Sequence, residues 1–229
     1  MTIPFYVAPE QLMKDRAEFA QKGIARGRSL LALTCSGGIL IVAENPSRSL
    51  HKISEIYDRI AFAGVGRYNE FDQLRVAGVR HADTKGYAFS RDDVDARALA
   101  NLYAQFLGQV FTHEMKPLEV EILVAEVGWE DSEDQMYEIA YDGTISDRSG
   151  FAVLGGKNEE IVERMQGVWS ASLSLDDAVP LAAEALGGTR NLAPADLEAA
   201  VLQRGAERRA FRRIPDDELA GLLGRKKSS

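Results

Sequence analysis

A glycine-rich segment at residues 155–158, Gly-Gly-Lys-Asn, holds residue types that can bind phosphate. A P-loop also needs an earlier glycine and a Ser or Thr after the lysine, because these groups complete the phosphate cradle and bind the metal. Both are missing, so we interpret the segment as a turn between a strand and a helix. The pair Gly64 and Gly66 lacks the third glycine of a dinucleotide-binding fingerprint and is also predicted to be a turn.

The potential metal ligands do not have metal-binding spacing. The acidic cluster at residues 130–134 lacks the pattern of a calcium loop and is interpreted as a solvated hairpin loop. The three histidines, His51, His81 and His113, are far apart and have no cysteine partners. We therefore expect neither a metal nor a cofactor.

One catalytic class depends on the start of the first strand. In N-terminal nucleophile hydrolases, a processed Thr, Ser or Cys at that position supplies the nucleophile, and its own α-amine is the base. Here the first predicted strand begins near Arg28 and Ser29, after an arm and a helix. The position that needs a threonine does not have one.

Hydrophobic periodicity and turn residues predict the elements that position these groups. In the first half, the sequence predicts a helix at 10–24, strands at 29–35, 39–43, 51–53 and 59–65, and two long helices, one from Tyr68 and one spanning Val94 to Val110. In the second half, it predicts strands at 120–127, 136–141, 149–154, 197–202 and 211–214, and helices at 159–166, 175–186 and 216–223. Turns at residues 36–38 and 142–143 predict hairpins.

Hairpin-joined strands indicate antiparallel sheets, and the helix pairs must cover them. The predicted fold is therefore α+β, a four-layer αββα sandwich in which two antiparallel sheets lie face to face with helices outside each. The stretch 120–125 is apolar on both alternating faces, as a strand covered on both sides requires. We expect an N-terminal arm at 1–9, one domain at 10–224 and a flexible basic tail at 225–229.

Composition limits the class of protein. The 229 residues include 27 Lys and Arg against 35 Asp and Glu, a net charge of −8, which argues against a nucleic-acid surface. The single Cys35 falls in an apolar run, so we expect a buried thiol and a reducing compartment. The N-terminal residues have no secretory signal, and the longest uncharged stretch, 29–43, is too short to span a bilayer. The expected location is the cytoplasm.

Over nearly its full length, the sequence resembles the alpha subunits of the 20S proteasome core particle, in the form found in actinobacteria. The segments that carry the resemblance are APEQ at 8–11, KGIAR at 22–26, VAENPSRSL at 42–50, KISE at 52–55, YDR at 57–59, FD at 71–72, ADT at 82–84 and RAFRRI at 209–214. The resemblance implies the same sandwich, assembly of the chain with itself into rings of seven, and stacking of such a ring on each end of two catalytic beta rings.

Alignment with the related beta subunits puts Arg28 at the catalytic threonine position, Glu44 at the following acidic position and Lys52 at the active-site lysine position. Without the terminal hydroxyl and amine, no catalytic residue is assigned to this chain. A self-processing N-terminal nucleophile (threonine) hydrolase remains the alternative, and a free-standing ligand-binding or scaffold domain is a further one.

The resemblance gives Lys52 a binding role, in which its ammonium captures the C-terminal carboxylate of an activator tail in a groove between subunits. Gly27 and Met13 are weaker candidates for lining that pocket. From spacing alone, Lys52 would instead form a local ion pair with Glu55 or Asp58.

The apolar arm implies a gate, because seven such arms could close a pore at the ring axis. The gate residues are Thr2, Ile3, Pro4, Phe5, Tyr6, Val7 and the turn proline Pro9. Lys116, Pro117 and Leu118 fall where relatives carry the pore constriction, although Leu118 and Glu119 depart from the family's aromatic-Gly pattern. The implied partners are beta subunits, ring-shaped ATPases or other activators, and polypeptides in transit, with no nucleic acid or membrane.

Overall fold

The structure, a computed structural model, describes residues 8–224, which form ten strands and six α-helices. The helices are α1 (Pro9–Ala25), α2 (Tyr68–Ala88), α3 (Ala96–His113), α4 (Asn158–Met165), α5 (Leu175–Gly187) and α6 (Asp216–Gly224). The strands are β1 (Leu30–Cys35), β2 (Gly38–Glu44), β3 (Ile53–Tyr57), β4 (Ile60–Gly66), β5 (Val120–Glu126), β6 (Gln135–Ile139), β7 (Ile145–Asp147), β8 (Phe151–Leu154), β9 (Leu197–Gln203) and β10 (Phe211–Ile214).

The strands form two five-stranded antiparallel sheets, in the orders β10-β9-β2-β1-β8 and β3-β4-β5-β6-β7. Alternation along the buried strands gives each sheet two apolar faces. On β2, Leu40 packs in a cluster with α5, while its neighbour Ile41 packs between the sheets against Ala63 and Leu123. Helices α4, α5 and α6 thus cover the first sheet. The four-layer α+β sandwich predicted from the sequence is confirmed.

The outer face of the second sheet packs against α2 and α3. Phe62, on the interior strand β4, has no exposed surface, and its ring centroid lies 5.7 Å from that of Tyr103 on α3. The α3 residues that face the sheet include Leu99, Tyr103 and Leu107. Phe106, which also falls within the helix predicted from Val94 to Val110, lies off this face, and 48% of its surface is exposed.

Two strand predictions were wrong. The strand expected at 51–53 begins only at Ile53, because the backbone N–H of Lys52 donates to a carboxylate oxygen of Glu198 instead of joining a ladder. The short strand β7 was not predicted. It pairs with β6 across the predicted turn at 142–143, where Gly143 has a positive φ of 86°.

Helix α1 lies at one end of the sandwich. Pro9 begins it without losing a helical hydrogen bond, and Ala20 and Ile24 are its buried side chains. The chain leaves α1 through Gly27, whose N–H donates to the Ile24 carbonyl at 2.8 Å, and enters β1 two residues after Arg28. Within residues 8–224, no helix combines the length and the apolar character that crossing a membrane requires.

Candidate functional site

The start of β1 and the end of β2 bring the candidate residues together. Leu30 pairs with Ala43 in the antiparallel ladder, and the Glu44 N–H donates to the Ser29 carbonyl at 3.0 Å. Arg28 and Glu44 therefore lie side by side, and their side chains form a salt bridge of 2.7 Å.

Lys52 completes this group from the segment before β3. Its Nζ donates to the Arg28 carbonyl oxygen at 2.7 Å, and its side chain is half-buried. Burial lowers the pKa of the Lys52 ammonium to about 8, against the opposing effect of the carboxylates of Glu198 and Glu44. The predicted proximity of Arg28, Glu44 and Lys52 is thus found in the structure.

The local ion pair expected for Lys52 from spacing alone is wrong. The Glu55 carboxylate pairs with Arg209 at 2.6 Å. The Asp58 carboxylate pairs with Arg91, whose Nε lies 2.9 Å from Oδ2. Both carboxylates are thus taken by arginines, and the Lys52 ammonium bonds to a carbonyl.

Glu44 is buried between two arginines. Arg190 binds it in bidentate fashion, with Nη1 to Oε1 and Nη2 to Oε2 both at 2.8 Å. These hydrogen bonds, together with the charges of Arg190 and Arg28, hold the pKa of Glu44 below its ordinary value. Arg190 reaches this position because Gly188, with a positive φ of 60°, ends α5 two residues earlier.

Glu198, on β9, fixes the backbone that carries Lys52. Its carboxylate accepts the N–H of Lys52 at 2.8 Å and the N–H of Ile53 at 3.3 Å. The Asn45 amide donates to it at 2.7 Å, and the Arg213 guanidinium pairs with it. Sequence reasoning missed this residue, although a single carboxylate inside the apolar segment 197–202 was a usable signal.

Arg28 stands at the position that requires a nucleophile, but it is not one. It carries a guanidinium that pairs with Glu44 at 2.7 Å, and it has no hydroxyl or thiol. The neighbouring Ser29 is buried. Neither Arg28 nor the buried Ser29 is therefore placed as a terminal nucleophile requires.

The two weaker pocket candidates are placed differently. Gly27 adjoins Arg28, and a Cβ on it would lie 2.9 Å from Val65 Cγ1 and 3.0 Å from the Ile24 carbonyl, so the tight turn favours glycine. Met13 lies on α1 about three helical turns before the helix ends, with 36% of its surface exposed. One chain thus brings Gly27 to Lys52 but does not bring Met13 there.

The predicted constriction residues lie between α3 and β5. Lys116 Nζ lies 2.7 Å from Glu70 Oε1 and 3.0 Å from Glu119 Oε1. Pro117 is buried and Leu118 is half-buried. The preceding residue, Met115, is fully exposed. Of the gate residues, Pro9 is exposed at the start of α1, and residues 2–7 lie outside the described residues.

Two of the segments that the sequence predicts to be turns or loops, residues 155–158 and 130–134, are held in place by hydrogen bonds and ion pairs. The Gly155 N–H donates to the Glu121 carboxylate at 2.8 Å, and the segment leads into α4. In the acidic loop, Asp131 and Asp134 both bind Arg204 at 2.8 Å.

In residues 8–224, no three His, Cys, Asp or Glu side chains converge as a metal site would require. Cys35 is buried as predicted, and burial raises the pKa of its thiol.

Comparison with known proteins gives consistent matches. A family model described as "Proteasome subunit" matches residues 24–199. A protein of Acidimicrobium ferrooxidans named proteasome subunit alpha is 63% identical over 225 residues, which cover 98% of this chain and 97% of that protein. Proteins with the same name are 55% identical in Kineococcus radiotolerans, covering 97% of this chain and 98% of the relative, and 55% identical in Saccharopolyspora erythraea, covering 97% and 89%.

Proposed function

The chain belongs to the proteasome subunit family, and from this premise we propose that it is a non-catalytic alpha subunit whose heptameric rings cap the catalytic beta rings, template their assembly, gate substrate entry and dock activators. The observation that carries the proposal is the start of β1. There Arg28, whose guanidinium pairs with Glu44, stands at the position where a catalytic subunit needs a terminal nucleophile.

Activator docking is assigned to Lys52. Its ammonium uses one N–H on the Arg28 carbonyl and has two more to donate, which suits a carboxylate acceptor. Gly27 adjoins Arg28, whose carbonyl accepts a hydrogen bond from the Lys52 ammonium. Met13, which is separate in one chain, would contribute from a groove between two subunits. Several weak tail contacts around a ring would gain from effective concentration.

Gating is assigned to residues 2–7, anchored by Pro9, and to the loop that contains Lys116, Pro117 and Leu118. Within that loop, Lys116 is engaged by carboxylates and Pro117 is buried. The fully exposed Met115 is therefore the side chain with most freedom to face a pore. The proposed partners are further copies of this chain, beta subunits, ATPase or other ring activators and polypeptide substrates, in the cytoplasm.

The docking role is tested with the complex assembled from the full chain and its beta partner. Lys52→Ala should abolish stimulation of peptide hydrolysis by a ring activator, because the carboxylate loses its cation. The control is Lys85→Ala on α2, where the lysine pairs with Asp95, and it should retain stimulation. Retained stimulation in Lys52→Ala would remove this residue from docking.

The gate and the ring are tested separately. Deletion of residues 2–7 should raise hydrolysis of long peptides, and unchanged rates would show that the arm is not the gate. A chain that stays monomeric with its beta partner would refute the ring. Mass spectrometry that finds cleavage just before Arg28 would instead favour the self-processing hydrolase.

A further inference from the structure

The charges around Lys52 fall into two groups with different sums. Glu198 and Arg213 form one pair of opposite charges. Glu44 is shared by Arg28 and Arg190, two cations against one anion. The first group is neutral, and the second carries one positive charge in excess. Lys52 itself adds another.

The carboxylates in this cluster are already saturated with donors. Glu198 accepts two backbone N–H groups and the Asn45 amide in addition to Arg213. Arg190 occupies both oxygens of Glu44 in the fork geometry that gives the strongest arginine–carboxylate pairing. Neither carboxylate needs the Lys52 ammonium as a partner. Within residues 8–224, that ammonium bonds to the Arg28 carbonyl and forms no salt bridge.

Arg28 is held less completely than Arg190. One of its nitrogens, Nη1, binds a single oxygen of Glu44, and 49% of its side chain is exposed. Its own carbonyl is the acceptor for Lys52, so the two cations are joined at one point of the backbone. An anion that approaches Lys52 therefore also approaches a guanidinium with unused donors.

We propose that Arg190 sets the charge of this site: by occupying both oxygens of Glu44, it leaves Arg28 and Lys52 as an uncompensated pair of cations that together bind a chain-terminal carboxylate. This inference rests on the proposed docking function of Lys52. It adds Arg28 as a second binding residue, and it makes Arg190 a positioning residue that does not touch the ligand.

A purely structural ion pair would behave differently from this charge-setting role. If Arg190 only stabilises the α5–β9 loop, loss of either Arg190 or Glu44 removes the same ion pair. A variant that lacks both residues should then bind the carboxylate no better than a variant that lacks Arg190 alone. If Arg190 sets the charge, the harm in its absence comes from the freed Glu44 carboxylate. Neutralising Glu44 as well should then restore binding.

The probe is a fluorescent octapeptide with a free C-terminal carboxylate, titrated onto the complex assembled from the full chain and its beta partner. The same peptide with a C-terminal amide measures binding that does not depend on the carboxylate. Arg190→Gln should weaken carboxylate-dependent binding by about tenfold, because the freed Glu44 carboxylate then neutralises Arg28 and leaves Lys52 as the single cation in excess. Arg190→Gln with Glu44→Gln should return the affinity to within about threefold of the original. Arg28→Gln should also weaken binding.

The matched controls are Arg209→Gln and Arg209→Gln with Glu55→Gln, which delete an exposed arginine–glutamate pair. Both should bind the peptide as the original complex does, and gel filtration should show that every variant assembles. If Lys52→Gln does not reduce binding, the docking function fails and this inference fails with it. If Lys52→Gln abolishes binding while Arg190→Gln has no effect, or if the double variant is not restored, the role of Arg190 alone is wrong.

Discussion

Capture of a carboxylate by Lys52 should weaken over a narrow range of pH. Burial lowers the pKa of this ammonium to about 8, while its ordinary value is 10.5. The charged groups that face it are Arg28, which lowers the pKa, and Glu44 and Glu198, which raise it. A terminal carboxylate titrates far below this range, so the ligand keeps its charge throughout.

The size of the effect follows from the protonated fraction of Lys52. With a pKa of about 8, about nine-tenths of the side chains are protonated at pH 7 and about one-tenth at pH 9. If the site binds the carboxylate only while Lys52 is protonated, the observed affinity is proportional to that fraction. The dissociation constant should therefore rise by about tenfold from pH 7 to pH 9. An exposed lysine would change it by little over the same interval, because its pKa is near 10.4.

The assay is a titration of the carboxylate peptide onto the assembled complex at a series of pH values from 7 to 9. Lys52→Arg provides the control, because a guanidinium stays protonated throughout, so any pH dependence that remains in it comes from other groups. The original complex should lose affinity as pH rises and the arginine variant should not. Equal affinity at both ends of the range, or the same loss in Lys52→Arg, would refute the reasoning.

Three further predictions concern stability. Burial raises the pKa of Glu121. Its contribution to the free energy of unfolding is therefore present at low pH and is lost as pH rises through the folded-state pKa. Glu121→Gln should reduce the fall in the free energy of unfolding between pH 5 and pH 8, measured with urea. Phe62→Ala, which leaves a cavity against Tyr103, should cost about 3–5 kcal/mol in the same assay, and a cost below about 1 kcal/mol would contradict the packing. Glu198→Ala should cost about 1–3 kcal/mol, because the backbone N–H groups of Lys52 and Ile53 lose their acceptor, and Glu198→Gln should cost less.

Most of the fold was predictable because its signals are local. The turn at 36–38 and the apolar runs on either side of it specify the β1–β2 hairpin. The 3.6-residue period specifies the start of α2 and both ends of α3, α4 and α5 to within a few residues. Gly187 and Gly188 end α5 where the sequence predicts. In each case, neighbours in sequence are also neighbours in space.

The errors in the fold come from interactions between distant residues. β3 begins late because Glu198, 146 residues away in sequence, binds the N–H of Lys52. β7 has only three residues, and its burial pattern gives no clear alternation. The sheet beneath α3 determines which face of the helix is buried, and it covers Tyr103 and leaves the more apolar Phe106 half exposed.

The site was predictable only in part for the same reason. Arg28, Glu44 and Lys52 were placed by resemblance, and the structure brings them together. Arg190 and Glu198 were not predicted, because their partners lie 146 residues away in each case and no local spacing links them. The residues that adjust the charge of a site are thus harder to find than those that line it.

The loop after α3 shows how a departure from a family pattern is accommodated. The resemblance implies glycine at position 119, where this chain has Glu119, and the buried carboxylate of this residue lies 3.0 Å from Lys116 and 3.2 Å from Arg67. A Cβ on Gly23 of α1 would lie 2.1 Å from Glu119 Oε2, so the absence of a side chain there makes room for the carboxylate. The larger residue at one position is therefore matched by the smallest residue at the other. Glu119 points under α1, so the residue at this position determines how the loop is anchored. The chemistry of the proposed pore depends instead on exposed neighbours such as Met115.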